Sequence, residues 1–223
     1  MSLIKSNMNK IYIFSGLGVA KRVFNRIDFG NLDVEFVDWI KPQKKESIES
    51  YARRIQENIK TENPILIGLS FGGMVSVEIS KIRKTQRIIL LASAKIKSEL
   101  PLMYRISGIF NLHKMIPNSV FKFHNFITNW MFGARSPEEK KLLRNIIKDT
   151  DPDFLRWAVN EIVNWKNQIT PENALHIHGD RDKVIPLRNV KADHIIKNGG
   201  HFMTVSHSAE IGVLIRNILN NST

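Results

Sequence analysis

Pro64-Ile65-Leu66-Ile67-Gly68-Leu69-Ser70-Phe71-Gly72-Gly73 is the stretch from which the rest of the chain can be read. Its first half is an uncharged, apolar run of strand length. Immediately after it, Met74, Val75, Val77, Ile79 and Ile82 recur at helical spacing through residues 73–83. Between the two lies Gly68-x-Ser70-x-Gly72. A serine lodged there occupies a sharp, strained turn that lifts its hydroxyl above the sheet, and the glycines leave room for neighbouring backbone. The helix that starts there turns its positive end toward any oxyanion forming beside the serine. The five-residue pattern recurs by chance in many chains; its weight comes from the strand before it and the helix after it.

Outward from this turn the same alternation continues. Strand-like runs are expected at 10–15, 34–39, 64–68, 87–91, 174–178 and 193–196. Several are apolar at nearly every position, as in a parallel sheet covered on both faces. Helical spacing is expected at 47–60, with Ser47 as a cap, and at 209–219, where Ile211, Leu214, Ile215 and Ile218 share a face. The fold class is therefore α/β: a doubly wound, mainly parallel, six-stranded sheet. Residues 96–166 break the rhythm. They offer helices punctuated by Pro101, Pro117, Pro137 and Pro152, and they are dense in Phe, Trp and Met. We expect a core of 1–95 and 167–223 with a helical lid inserted at 96–166. Trp130 and Met131 of that lid, with Gly16 and Trp39, are the expected substrate contacts.

Composition narrows the function. The 223 residues suit one α/β core with an insertion, and 43% hydrophobic with 24% charged residues is ordinary for a globular protein. There is no cysteine, which excludes disulfide scaffolds, thiolate metal sites and cysteine nucleophiles. No run reaches the roughly 18 apolar residues of a membrane span, and the first residues lack the apolar core of a secretory leader. A cytoplasmic location is expected. The net charge of +12 is spread over the first three quarters of the chain rather than gathered in a Lys/Arg block, so no nucleic-acid partner is expected. Gly16-x-Gly18 lacks the third glycine of a dinucleotide fingerprint, since Lys21 stands there, and no P-loop is present. His176, His178 and Asp180 could face one way along a strand, but a metal site would want further ligands at matched spacing. His113, His124, His194 and His207 have no evident partners. No metal or other cofactor is expected.

A serine hydroxyl needs a base, and the base needs an orienting acid. Both types follow in the order serine, acid, histidine. His178-Gly179-Asp180-Arg181-Asp182-Lys183-Val184-Ile185-Pro186 comes after the fifth strand, and Asn198-Gly199-Gly200-His201-Phe202 after the sixth. Each lies past the carboxyl end of a strand, where open α/β sheets place their sites.

With these motifs the chain resembles a compact protein of the α/β-hydrolase fold, over residues from about 10 to the end. The resemblance implies Asp182 as the acid, with Asp180 as its rival, and His201 as the base. It also implies an oxyanion hole from the N–H of Phe71 and an N–H of the loop Ser15-Gly16-Leu17-Gly18, with Leu17 the chosen donor. Many relatives have His-Gly where this chain has Ser15-Gly16. A sheet without the first antiparallel hairpin of larger members is expected. The implied activity is a serine hydrolase that cleaves a small-molecule ester or thioester through an acyl-enzyme on Ser70. The alternative is a hydrolase-like binding protein that keeps the pocket and turns over slowly or not at all. Fold alone does not choose between them.

Overall fold

The computed structural model describes residues 10–18, 20–110 and 124–220. Pro117 and His113 lie outside these. Six parallel strands form one sheet: β1 (Ile11–Phe14), β2 (Val34–Phe36), β3 (Ile65–Leu69), β4 (Arg87–Leu91), β5 (Ala174–Gly179) and β6 (His194–Ile196). Their order across the sheet is β2-β1-β3-β4-β5-β6. All five pairings are parallel, with Ile13 beside Ile67, Gly68 beside Leu90 and Leu91 beside Ile177. The strands expected from sequence all form, with β1 and the edge strands β2 and β6 shorter than expected. These two edge strands are also the less buried ones.

Strand alternation sorts the apolar side chains onto two faces. Ile11, Ile13, Ile65, Ile67, Ile89 and Leu91 point to one side and pack with α8 (Ser208–Asn220) through Ile211, Ile215 and Ile218. Tyr12, Phe14, Leu66, Ile88 and Leu90 point to the other, against α1 (Ile48–Ile55) and α2 (Phe71–Ser80). This double cover explains why β1 and β3 are buried along their whole length. Ser47 caps α1, its side chain accepting from the Ser50 N–H at 3.3 Å. The α-helix ends at Ile55 and a single 3₁₀ turn, Gln56–Asn58, completes the segment. Helix α2 starts two residues earlier than its apolar spacing suggests. The Ser70 turn lets helical geometry begin at Phe71.

Between β4 and β5 come α3 (Leu102–Ile109), α4 (Phe126–Phe132), α5 (Pro137–Asp149) and α6 (Pro152–Asn164), and the described residues of this interval contain no strand. Pro101 stands just before α3, while Pro137 and Pro152 open their helices. There the missing N–H costs nothing, because it would have no intrahelical acceptor. Ser136 and Glu139 form a reciprocal capping box on α5. Helices α3 and α6 pack closely at Gly108, where a Cβ would lie 2.2 Å from the Val163 carbonyl oxygen. Two contacts tie α6 to the sheet layer. The Glu161 carboxylate accepts from the Ile48 N–H at 2.9 Å, and Trp157 donates to the Glu46 carbonyl at 2.7 Å. Glu161 is partly buried, and that burial raises its pKa. Finally, α7 (Met203–Ser206) is a single turn leading into α8.

The crossing of α2 over β1 and β3 has no spare room. A Cβ on Gly72 would stand 2.2 Å from the Ser15 carbonyl oxygen and 2.4 Å from that of Phe14. Because these neighbours are backbone, Gly72→Ala forces the helix off the sheet. We expect it to lower unfolding free energy by about 2 kcal/mol or more, measured by urea denaturation. A loss within a few tenths of a kcal/mol contradicts this packing.

Candidate active site

Ser70 holds φ 51° and ψ −120°, a conformation that side-chain-bearing residues rarely adopt. Several contacts fix it. Its N–H donates to the Leu91 carbonyl at 2.9 Å, and its own carbonyl accepts from Ser93 Oγ at 2.6 Å. A Cβ on Gly68 would meet Gly73 Cα at 2.4 Å, and one on Gly73 would meet Ser93 Oγ at 2.3 Å. The turn is thus closed from three sides, and the hydroxyl is left on the open one. Ser93 was not singled out from sequence, since a serine two residues past a strand carries no signature of its own.

His201 arrives from the loop after β6. Asn198 takes φ 61° there, and the backbone of Gly200 packs against Gly133, whose φ of 76° ends α4. The Phe202 N–H donates to the Phe132 carbonyl at 2.9 Å, and the Phe132 ring meets the His201 ring edge-on at 5.5 Å. Imidazole Nδ1 lies 2.8 Å from Asp182 Oδ2, and Nε2 lies 2.9 Å from Ser70 Oγ. An ionised carboxylate only accepts, so Nδ1 carries the proton and the Nε2 lone pair faces the serine hydroxyl. The other carboxylate oxygen, Oδ1, accepts from the N–H groups of Val184 and Ile185 at 2.8 and 2.9 Å. Asp182 and His201 are buried, whereas Asp180 is exposed. Burial by itself would raise the Asp182 pKa. The neighbouring His201, then His178 and the Ile185 N–H, outweigh it and hold the carboxyl below its ordinary value.

Phe71 and Leu17 both line the cavity that contains Ser70. Phe71 is the first residue of α2, so its N–H has no acceptor within the helix. Leu17 belongs to the loop after β1, which passes so near that a Cβ on Gly16 would be 3.5 Å from Ser70 Cβ. Among the described residues, neither N–H has a backbone acceptor outside the regular elements. A cavity of about 510 Å³ opens over Ser70 and His201. Its walls are mainly apolar and come from both layers: Leu17 and Met74 from the sheet side, Met131, Leu143, Ile146 and Val159 from the inserted helices.

No protein-family model and no curated protein sequence matches the chain. Solved structures do. MenH from S. aureus superposes with a TM-score of 0.71 at 17% identity, over 98% of this chain and 96% of that one. A thermophilic esterase from Thermogutta terrifontis gives 0.68 at 14%, over 96% and 90%. A lipase-esterase related protein from Clostridium acetobutylicum gives 0.67 at 15%, over 95% of each chain. The chain has the α/β-hydrolase fold.

Within this α/β-hydrolase fold, the expected site residues divide. Ser70, His201 and Asp182 come within hydrogen-bonding reach, and Gly16, Leu17, Phe71 and Met131 line the cavity beside them. Trp39 and Trp130 do not line it. Trp39 is a brace: its Nε1–H is shared between Ser15 Oγ and the Gly16 carbonyl, each at 3.1 Å, and its ring packs on Phe71 and Phe154. Trp130 is turned outward under Lys183, whose Nζ sits 3.9 Å from the ring centre. Helical spacing could not separate it from Met131, its neighbour in sequence. Trp39 and Pro42 line a separate outer hollow of about 420 Å³, which shares Gly18 and Thr150 with the cavity. Tyr104 and Leu143 also line the cavity, and the sequence marked them only as part of an apolar helical interval or not at all.

His176 and His178 stack edge to face at 4.9 Å and are fully buried. Among the described residues, no group of three His, Asp or Glu side chains is placed to hold a metal ion. Burial drives the His176 pKa down to about 2 and lowers that of His178 as well. In the unfolded chain each returns to about 6.5. Below that pH the unfolded state binds protons that the folded state refuses, so stability falls with falling pH. From pH 7 to 5 we expect a loss on the order of 1 kcal/mol per pH unit for each fully shifted group, followed by urea denaturation. His176→Gln should reduce the steepness between pH 6 and 5. An unchanged slope contradicts the assignment.

Proposed function

We propose that the protein is a serine hydrolase that cleaves small esters or thioesters through a Ser70–His201–Asp182 triad. The observation that carries this reading is the unbroken line Asp182 Oδ2, His201 Nδ1, His201 Nε2, Ser70 Oγ, with both hydrogen bonds under 3 Å. Ser70 Oγ attacks the acyl carbonyl while His201 Nε2 takes its proton. Asp182 stabilises the imidazolium that forms. The carbonyl oxygen becomes an oxyanion held by the N–H groups of Phe71 and Leu17. As the carbonyl re-forms, the bond to the alcohol or thiol breaks and His201 returns the proton to that leaving group. Water then attacks the acyl-Ser70 ester with His201 again as base, which releases the acid and restores the serine.

Residues 96–166 act in this reading as a helical cover over a core of 1–95 and 167–223. Their apolar side chains roof the cavity and keep bulk water from the acyl-enzyme. A wall of Leu17, Met74, Leu143, Ile146 and Val159 suits an apolar acyl chain better than a polar one. Each buried methylene is worth about 0.8 kcal/mol, so a few additional carbons shift selectivity measurably.

On p-nitrophenyl esters, Ser70→Ala should lower kcat at least about a thousandfold with the melting temperature retained. The hexanoate should exceed the acetate in kcat/KM by about tenfold or more. Full turnover by the alanine variant overturns the nucleophile, and a preference for acetate overturns the apolar acyl site.

A further inference from the structure

Two imidazole nitrogens approach the same carboxylate oxygen. His201 Nδ1 is 2.8 Å from Asp182 Oδ2, and His178 Nε2 is 3.5 Å from it. The second contact is not a hydrogen bond of its own, because His178 Nε2 is spent on the Ile185 carbonyl at 2.8 Å. That carbonyl only accepts, so Nε2 of His178 bears hydrogen. A neutral imidazole carries one, which leaves His178 Nδ1 as a lone pair. Its neighbour at 3.1 Å, His176 Nε2, must therefore donate to it. The hydrogen of His176 is then on Nε2 and its Nδ1 is bare. His176 Nδ1 is buried and makes no hydrogen bond of normal geometry, with the Ser93 backbone nearby. Both tautomers follow from one backbone carbonyl.

Ile185 is gripped at both of its main-chain groups. Its N–H holds Asp182 Oδ1 and its C=O is held by His178. We propose that His178 is a positioning residue of the triad: it anchors the Ile185 link that orients Asp182, and its Nε2–H, bonded to the Ile185 carbonyl, keeps partial positive charge 3.5 Å from the oxygen that faces His201. This rests on the serine-hydrolase reading above and deepens it.

The groups around His178 allow this neutral role. Asp182 and His201 face it from the loops after β5 and β6, and His176 from its own strand. Behind His176, the Lys95 charge acts against protonation, while Lys95 Nζ itself is bonded to the Lys191 carbonyl at 2.6 Å. Asp193 is engaged with the His176 backbone N–H at 2.8 Å. A neutral donor near Oδ2 tempers the pull of Asp182 on a protonated His201 without cancelling it. Removing the donor should let His201 take up its proton at higher pH.

The test compares His178→Gln, His178→Asn and His178→Leu in a Ser70→Ala background. The pH midpoint of His201 protonation is followed by imidazole nitrogen NMR, which needs no turnover. Glutamine places an N–H at the reach of Nε2, and asparagine only at the reach of Nδ1. We expect the midpoint to rise by about half a pH unit or more with Asn and Leu and to return close to the parent with Gln. In the Ser70 protein, the acid limb of kcat/KM should move up by the same amount in the Asn variant. If the Leu variant does not fold, the Gln and Asn pair carries the same comparison. A midpoint unmoved in all variants, or moved equally by Gln and Asn, overturns the proposal. An inactive wild type with the expected midpoints overturns the hydrolase reading and leaves the positioning contact standing.

Discussion

A serine at φ 51° is an unfavourable thing to build, and most of the structure around it exists to hold it there. The peptide on either side is tied to β4 and to Ser93, and three glycines let β1, β3 and α2 approach within distances that a single Cβ would prevent. Strain of order 1–3 kcal/mol persists only where the surroundings over-determine it. Here they do, because the same close crossing packs α2 onto its face of the sheet. The benefit is positional. A hydroxyl on a relaxed strand or helix would lie among its neighbours, whereas this one stands clear of them within 2.9 Å of an imidazole.

The second requirement is a carboxylate that stays ionised while buried. Asp182 meets it with two backbone N–H donors on one oxygen and His201 on the other. The inserted helices then connect to this arrangement at a defined place. The Phe132 carbonyl and ring steady the His201 loop, and Thr150, at the end of α5, bonds the Leu17 carbonyl at 3.4 Å. The described helices between β4 and β5 therefore touch both the loop of the proposed base and that of the proposed oxyanion donor, in addition to lining the cavity.

Much of this was legible before any coordinates. Strand order and edges aside, the six strands announce themselves because burial on both faces leaves almost every position apolar, as in Ile65–Leu69. The order of Ser70, Asp182 and His201 was legible because each follows a strand and because turn chemistry leaves glycines and acids there. What escaped is what depends on rotation rather than period. Trp130 and Met131 are sequence neighbours, yet one faces Lys183 in the open and the other the cavity. Trp39 could be read from sequence either as a pocket residue or as packing, and its indole N–H decides for packing by finding acceptors in the loop it braces. Ser93 and the His176–His178 pair act through tertiary contacts that no local pattern encodes.

The proposed mechanism requires Ser70 to be made nucleophilic by His201 and Asp182. The most direct measurement is the rate at which an alkyl fluorophosphonate adds to the protein, read by intact mass and located by peptide mapping. One adduct is expected, on Ser70, formed at least about a hundredfold more slowly when His201 is replaced by alanine. No adduct on folded protein, or labelling at Ser70 that is indifferent to His201, would contradict it.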